Sequence, residues 1–247
     1  MSKIKISAVS YTNTKPFLYG LQHTDIINKI DLSLDIPSDC AQKLIDNKVD
    51  IGLIPVAAAL NIPNWQIVSG YCIGANGAVN SVFIFSNCEI QDIKTLQLDP
   101  ESRSSNNLAR VLLKNHWQVS PELITEDRKY SLSIDKTTAF VQIGDRTFGK
   151  AGNYPYVYDL AEEWQRFTDL PFVFAAWIAN KHIPAEFITE FNNSLKYGLD
   201  HRAQLFAELP THPDFDVQDY LMHKIDFELN DAKKQALFLF LDYVKAL

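Results

Sequence analysis

Short β-type runs alternate with helical ones through the first third of this chain, and no other feature restricts the fold as strongly. Residues 4–9, 32–36 and 49–54 read as strands, with helices expected over 17–22 and 39–47 between them. Such alternation is the signature of βαβ units, so a largely parallel sheet is expected. Ser38 follows Pro37 and precedes the acidic Asp39, so it reads as the N-cap of the second helix. Strands over 66–73 and 81–85 follow, separated by the turn signal Asn76-Gly77.

After Cys88 the pattern restarts. A strand over 95–98, a helix over 105–116 and strands over 122–125 and 139–143 make a second βαβ set with a small core of its own. Leu160, Ala161, Trp164 and Phe167 share one face of a helix expected over 158–167, and Pro171 opens an apolar run, 172–179, long enough to rejoin the first sheet. Helices are expected over 184–209, around 217–223, and over 231–245 behind the N-cap candidate Asn230. An α/β lobe interrupted by a second one and then resumed gives a two-lobed α/β protein with a ligand cleft between the lobes. The boundaries are lobe one over 1–87, lobe two over 88–171 and lobe one resumed over 172–247. One larger doubly wound sheet would give a similar alternation.

A chain of 247 residues with 47% hydrophobic content has enough apolar material for one large core or two modest ones. Its net charge of −7, without any Lys/Arg run, argues against nucleic acid or an anionic membrane surface as partner. No apolar run approaches the roughly eighteen residues a membrane span needs, since even 236–244 is broken by Asp242. Met1-Ser2-Lys3 leads straight into a strand without an export signal, so a cytoplasmic protein is expected. Cys40, Cys72 and Cys88 are too scattered for a zinc site and odd in number for a disulfide framework, and read as inert thiols.

The chemistry concentrates in two strand-to-helix junctions. Ser10-Tyr11-Thr12-Asn13-Thr14-Lys15-Pro16 follows the first strand, and ligands of open α/β sheets bind at the carboxyl ends of strands. Hydroxyl and amide donors at a helix start suit a carboxylate, although Thr12 or Asn13 would equally serve as a helix cap. Asp99-Pro100-Glu101-Ser102-Arg103-Ser104-Ser105-Asn106-Asn107 holds the matching place in the second lobe, as a second anion cradle or a capped polar loop. Ser81 opens a strand near the cleft floor, and Asp145 either faces the ligand or caps the turn toward Phe148. The six histidines lie outside these segments, and there is no nucleophile elbow, phosphate-binding Gly-rich loop or Cys/His ligand spacing. No metal and no cofactor is therefore expected.

These segments resemble chorismate dehydratase of menaquinone biosynthesis. The resemblance is carried by residues 8–16, 49–57, 71–75, 81–82, 102–105 and 158–164, and spans nearly the whole chain. It implies a type II periplasmic-binding-protein-like fold that converts chorismate, by loss of water, to 3-[(1-carboxyvinyl)oxy]benzoate in the futalosine route. On this resemblance Asn13 and Ser81 are the catalytic contacts, while Ser104, Ser105 and Asn106 form an anion-holding loop. Ser10, Tyr11, Thr12 and Asp145 complete the expected substrate-binding set. Two positions depart from the family pattern: Ser105 stands where many relatives carry Thr, and Asn80 where many carry a basic residue. With no histidine in the cleft segments, a carboxylate of the substrate is the expected proton acceptor. Two other functions share this fold: a non-catalytic solute-binding or sensor protein, and the enzyme that makes 1,4-dihydroxy-6-naphthoate in the same pathway. The Ser10-to-Pro16 string favours the dehydratase.

Overall fold

The computed structural model describes residues 3–125 and 136–247. Two mixed sheets form its frame. The first contains β1 (Ile4–Val9), β2 (Ile30–Asp35), β3 (Ile51–Pro55), β4 (Gln66–Ala75), β10 (Phe172–Ala179) and β11 (Asp226–Glu228), in the order β11-β4-β10-β3-β1-β2. The second contains β5 (Val82–Ser86), β6 (Thr95–Gln97), β7 (Glu122–Ile124), β8 (Thr138–Ile143) and β9 (Tyr156–Asp159), in the order β7-β6-β8-β5-β9.

The expected parallel pairing holds for β1 with β2 and β3, and for β6 with β7 and β8. Elsewhere the sheets are antiparallel. β10 enters between β3 and β4 and runs against both, because it arrives from the second sheet rather than through a βαβ crossover. All eight of its residues are buried, as a central strand covered on both faces requires. β5, counted with the first lobe on sequence, pairs with β8 and β9 in the second sheet. The chain thus leaves the first sheet before Ser81, not after Ser86. β9 occupies residues expected to begin a helix, and α4 (Leu160–Thr168) starts only after Asp159, whose carboxylate caps it.

Local signals explain most helix boundaries. α2 (Pro37–Ile45) begins at Pro37, whose fixed φ and missing N–H suit a first helical position, so Ser38 lies inside the first turn and Ile36 stands at the cap. Ser102 caps α3 (Arg103–Asn115) and Asn230 caps α8 (Asp231–Lys245), each accepting a backbone N–H three residues on. The helix expected over 184–209 divides at His201 into α5 (Ala185–Asp200) and α6 (Arg202–Phe206). α7 (Val217–Asp219) continues into a π-helical turn, Tyr220–Lys224.

The second lobe does not have a wholly separate core. One apolar cluster runs through both sheets, and a satellite of Phe83, Phe85 and Phe140 covers the outer face of the second. α3 and α8 pack on each other and on the 3-10 turn Val56–Asn61, bridging the two layers.

α1 (Lys15–Gln22) crosses α5 through two glycines. A Cβ added at Gly20 would collide with the carbonyl oxygen of Ser194, and one at Gly198 with that of Pro16. Both obstacles are backbone, which cannot swing aside. Gly20→Ala should therefore destabilise the protein by about 1–3 kcal/mol or more through overpacking. Urea unfolding checks this, with a lower midpoint at unchanged slope; a midpoint equal to wild type would contradict the close crossing.

Candidate functional site

A cavity of about 60 Å³ lies between the sheets, reached by residues of both. Its apolar wall includes Val9, Pro55, Ile73, Phe174 and Ile143. Its polar lining is made of Tyr11, Asn13, Thr14, Ser81, Ser102, Ser104 and Ser105, with no carboxylate, imidazole, thiol or cation among the lining side chains.

Each polar residue is delivered by the end of an element. β1 hands over to the 3-10 turn Thr12–Thr14 and then α1, and neither Thr12 nor Asn13 caps that helix. The Asn13 amide points elsewhere: its Nδ2 stands 3.5 Å from the Tyr220 hydroxyl, and Thr14 Oγ1 donates to its Oδ1 at 3.3 Å. Ser81 sits just before β5, where its Oγ accepts from Tyr220 at 2.9 Å. Ser102, Ser104 and Ser105 come from the start of α3, an end that favours negative charge. Ser104 Oγ is spent on the first lobe, accepting from the Ala57 amide at 3.1 Å.

Five residues expected at the site therefore meet at the cavity: Tyr11, Asn13, Ser81, Ser104 and Ser105. The others do not line it. Ser10 is exposed. Asn106 uses both ends of its amide on the backbone of Asp99, at 2.9 Å and 2.7 Å, which fixes the loop before α3. Thr12 and Asp145 are bound to one another: the Thr12 amide reaches both carboxylate oxygens at 3.1 Å and its hydroxyl reaches one at 2.9 Å. Asp145 thus neither faces the cavity nor caps its own turn with its side chain. Burial raises its pKa, against the opposing effect of the Thr12 hydrogen bonds.

Tyr11 makes the second link across the lobes. Its hydroxyl donates to Glu101, and its ring lies against Gly144, where an added Cβ would stand 2.7 Å from two ring carbons. Gly144 also has φ of +64°, so glycine is required there twice over. Burial, with the Glu101 hydrogen bond, raises the Tyr11 pKa and keeps the phenol protonated. Arg146 balances the acidic loop, meeting Asp99 at 2.8 Å and Glu101 at 3.3 Å.

Two contributors were not among the site residues expected from the sequence. Tyr220 belongs to a short helical tail segment more than 130 residues from either partner. Asp159 looks like an ordinary helix cap, accepting from Ala161 and Glu162, yet its second oxygen accepts from the Asn80 amide at 2.7 Å. It thereby holds Asn80, at φ of +59°, immediately before Ser81. Among the described residues, no group of three or more His, Cys, Asp or Glu side chains is placed to hold a metal ion, and no helix is long and apolar enough to cross a membrane.

The two mixed sheets, the central strand returning from the second sheet and the interlobe cavity define a periplasmic-binding-protein-like α/β protein. An Archaeoglobus fulgidus protein of known structure shares this fold at a TM-score of 0.72 and 14% identity, over 99% of this chain and 97% of that one. So do an ABC transporter structure from Parabacteroides distasonis (TM-score 0.65, 16% identity, 100% and 93% covered) and the periplasmic aliphatic sulphonate binding protein of Escherichia coli (0.59, 12%, 100% and 91%). Within that class the chain belongs to the menaquinone biosynthesis family, whose model matches residues 4–246.

Asp159 makes the site's anchoring pH-dependent. Burial raises its pKa to about 6 in spite of the backbone amides it accepts. The folded protein then binds this proton more tightly than the unfolded chain, whose carboxyl titrates near ~3.9. The associated stability is fully present below about pH 4 and is lost as the pH rises through about 6. Asp159→Asn should flatten that decline in a series of denaturant midpoints from pH 4 to 7, and parallel profiles for variant and wild type would refute the assignment.

Proposed function

We propose that the chain is a chorismate dehydratase of menaquinone biosynthesis, converting chorismate to 3-[(1-carboxyvinyl)oxy]benzoate and water. One observation carries this reading: a small interlobe cavity furnished by both lobes with neutral donors, Asn13 from the first lobe and Ser81 with the serines of the α3 start from the second. The sequence resemblance and the family membership agree with it.

The reaction breaks the bond from a ring carbon to its hydroxyl and a neighbouring C–H bond, and the cyclohexadiene becomes a benzene ring. Aromatisation supplies much of the driving force, so the enzyme must chiefly orient the substrate, exclude water and stabilise developing charge. The first turn of α3, with Ser105, receives one carboxylate of the substrate. Ser81 and Asn13 donate to the departing hydroxyl, and the ring proton passes to a carboxylate of the substrate itself. No lining side chain competes for that proton. The hydroxyl and the proton together make the water released.

The cavity of about 60 Å³ is well below the ~300 Å³ at which ligand pockets begin, so the lobes stand wider apart than this when chorismate is bound.

Purified protein should consume chorismate and yield an aromatic product by chromatography, without added metal, nucleotide or flavin. Asn13→Ala and Ser81→Ala should each lower kcat/KM by roughly ten- to a hundredfold, as expected for lost hydrogen bonds to a charged group. Because both serve one leaving group, the double variant should lose less than the product of the two. Chorismate bound but recovered unchanged would favour a solute-binding protein, and chorismate neither bound nor consumed would favour the naphthoate-forming enzyme.

A further inference from the structure

Tyr220 stands behind the cavity rather than on its wall, 1% exposed, yet its hydroxyl joins the two residues that matter most in front. It donates to Ser81 Oγ at 2.9 Å and faces Asn13 Nδ2 at 3.5 Å. Three separate parts of the chain meet at this oxygen: the turn after β1, the approach to β5 and the π-helical turn that Tyr220 opens. We infer that Tyr220 is a positioning residue, which turns the Ser81 hydroxyl into a donor aimed at the substrate; the inference rests on the function proposed above.

The argument is one of proton counting. A phenol has a single proton, and Tyr220 gives it to Ser81 Oγ. The serine's own O–H then has no place toward the tyrosine and is left for the cavity that Ser81 lines. Asn13 faces Tyr220 with its amide nitrogen, so the tyrosine oxygen accepts there and the second amide N–H remains for the ligand. The chain from Asn13 through Tyr220 to Ser81 has one polarity, and each bond in such a chain strengthens the next. Burial raises the Tyr220 pKa, so the phenol keeps its proton and the polarity does not invert with pH.

The ring is built to hold that direction. Phe148 and Phe215 stack on each other at 3.8 Å, and each meets the Tyr220 ring edge-on, at 5.4 and 5.3 Å. The Ile225 amide bonds back to the Tyr220 carbonyl at 3.0 Å, closing the wider π turn, a feature frequent at functional sites.

The test compares wild type, Tyr220→Phe, Ser81→Ala and the double variant with chorismate, with rates taken per folded molecule well below each melting temperature. Tyr220→Phe keeps the ring and its packing. It should lower kcat about tenfold or more while KM stays within about twofold, the mark of an interaction made in the transition state. In the Ser81→Ala background the same change should cost less than about twofold further. 4-Aminophenylalanine at position 220 retains a donor and should restore part of kcat. An active wild type with an unimpaired Tyr220→Phe variant overturns the inference alone, as do equal losses in both backgrounds. A wild type that leaves chorismate untouched overturns the proposed function and the inference with it.

Discussion

Thr12 gives both its backbone amide and its hydroxyl to Asp145 across the boundary between the lobes, and this contact sets the geometry of everything between them. Tyr11 beside it reaches Glu101, and the Ala57 amide reaches Ser104, so three links ring the cavity. Each joins a residue near the carboxyl end of a first-sheet strand to a loop or helix start of the second lobe. The links are hydrogen bonds, which exchange with water at small net cost. Around the cavity the lobes meet through these polar links, while the apolar cluster shared by both sheets joins them elsewhere.

The polarity of the cavity follows from the same arrangement. Asp99 and Glu101 lie close to it, and unpaired they would repel an anionic ligand. Arg146 binds both, and Tyr11 donates to Glu101, so the charge of the acidic loop is partly offset and its oxygens are occupied from behind. The cavity wall is left with neutral donors and the start of α3, in a chain of net charge −7. On the proposed function, attraction for the substrate carboxylates comes from local orientation rather than from overall charge.

Much of this was legible in the sequence. The first three strands, the cap Asn230, and the convergence of Asn13, Ser81, Ser104 and Ser105 follow from periodicity, cap chemistry and motif resemblance. Strand direction was not legible, because the apolar content of β10 is the same whichever way it runs. β9 and β11 have four and three residues, too few for a period to register. Asn106 looks like a ligand donor until the Asp99 backbone is seen to use both ends of its amide, and Asp145 is claimed by a residue 133 positions away. Tyr220 illustrates the general difficulty: a residue that acts by touching two others, each distant in sequence, leaves no local pattern.

The strand order of the first sheet bears on how the chain is assembled. β3 and β4 follow one another in sequence but are not neighbours, and the gap between them is filled by β10, about a hundred residues later. During synthesis the emerging N-terminal segment therefore holds a sheet with a missing centre, whose two flanking strands have no partner on their inner edges. The strands of the second sheet lie wholly between β4 and β10, so that lobe has all its pairing partners as soon as α4 leaves the ribosome. Maturation then runs from the inside of the sequence outward, and the first lobe to be translated is the last to be completed.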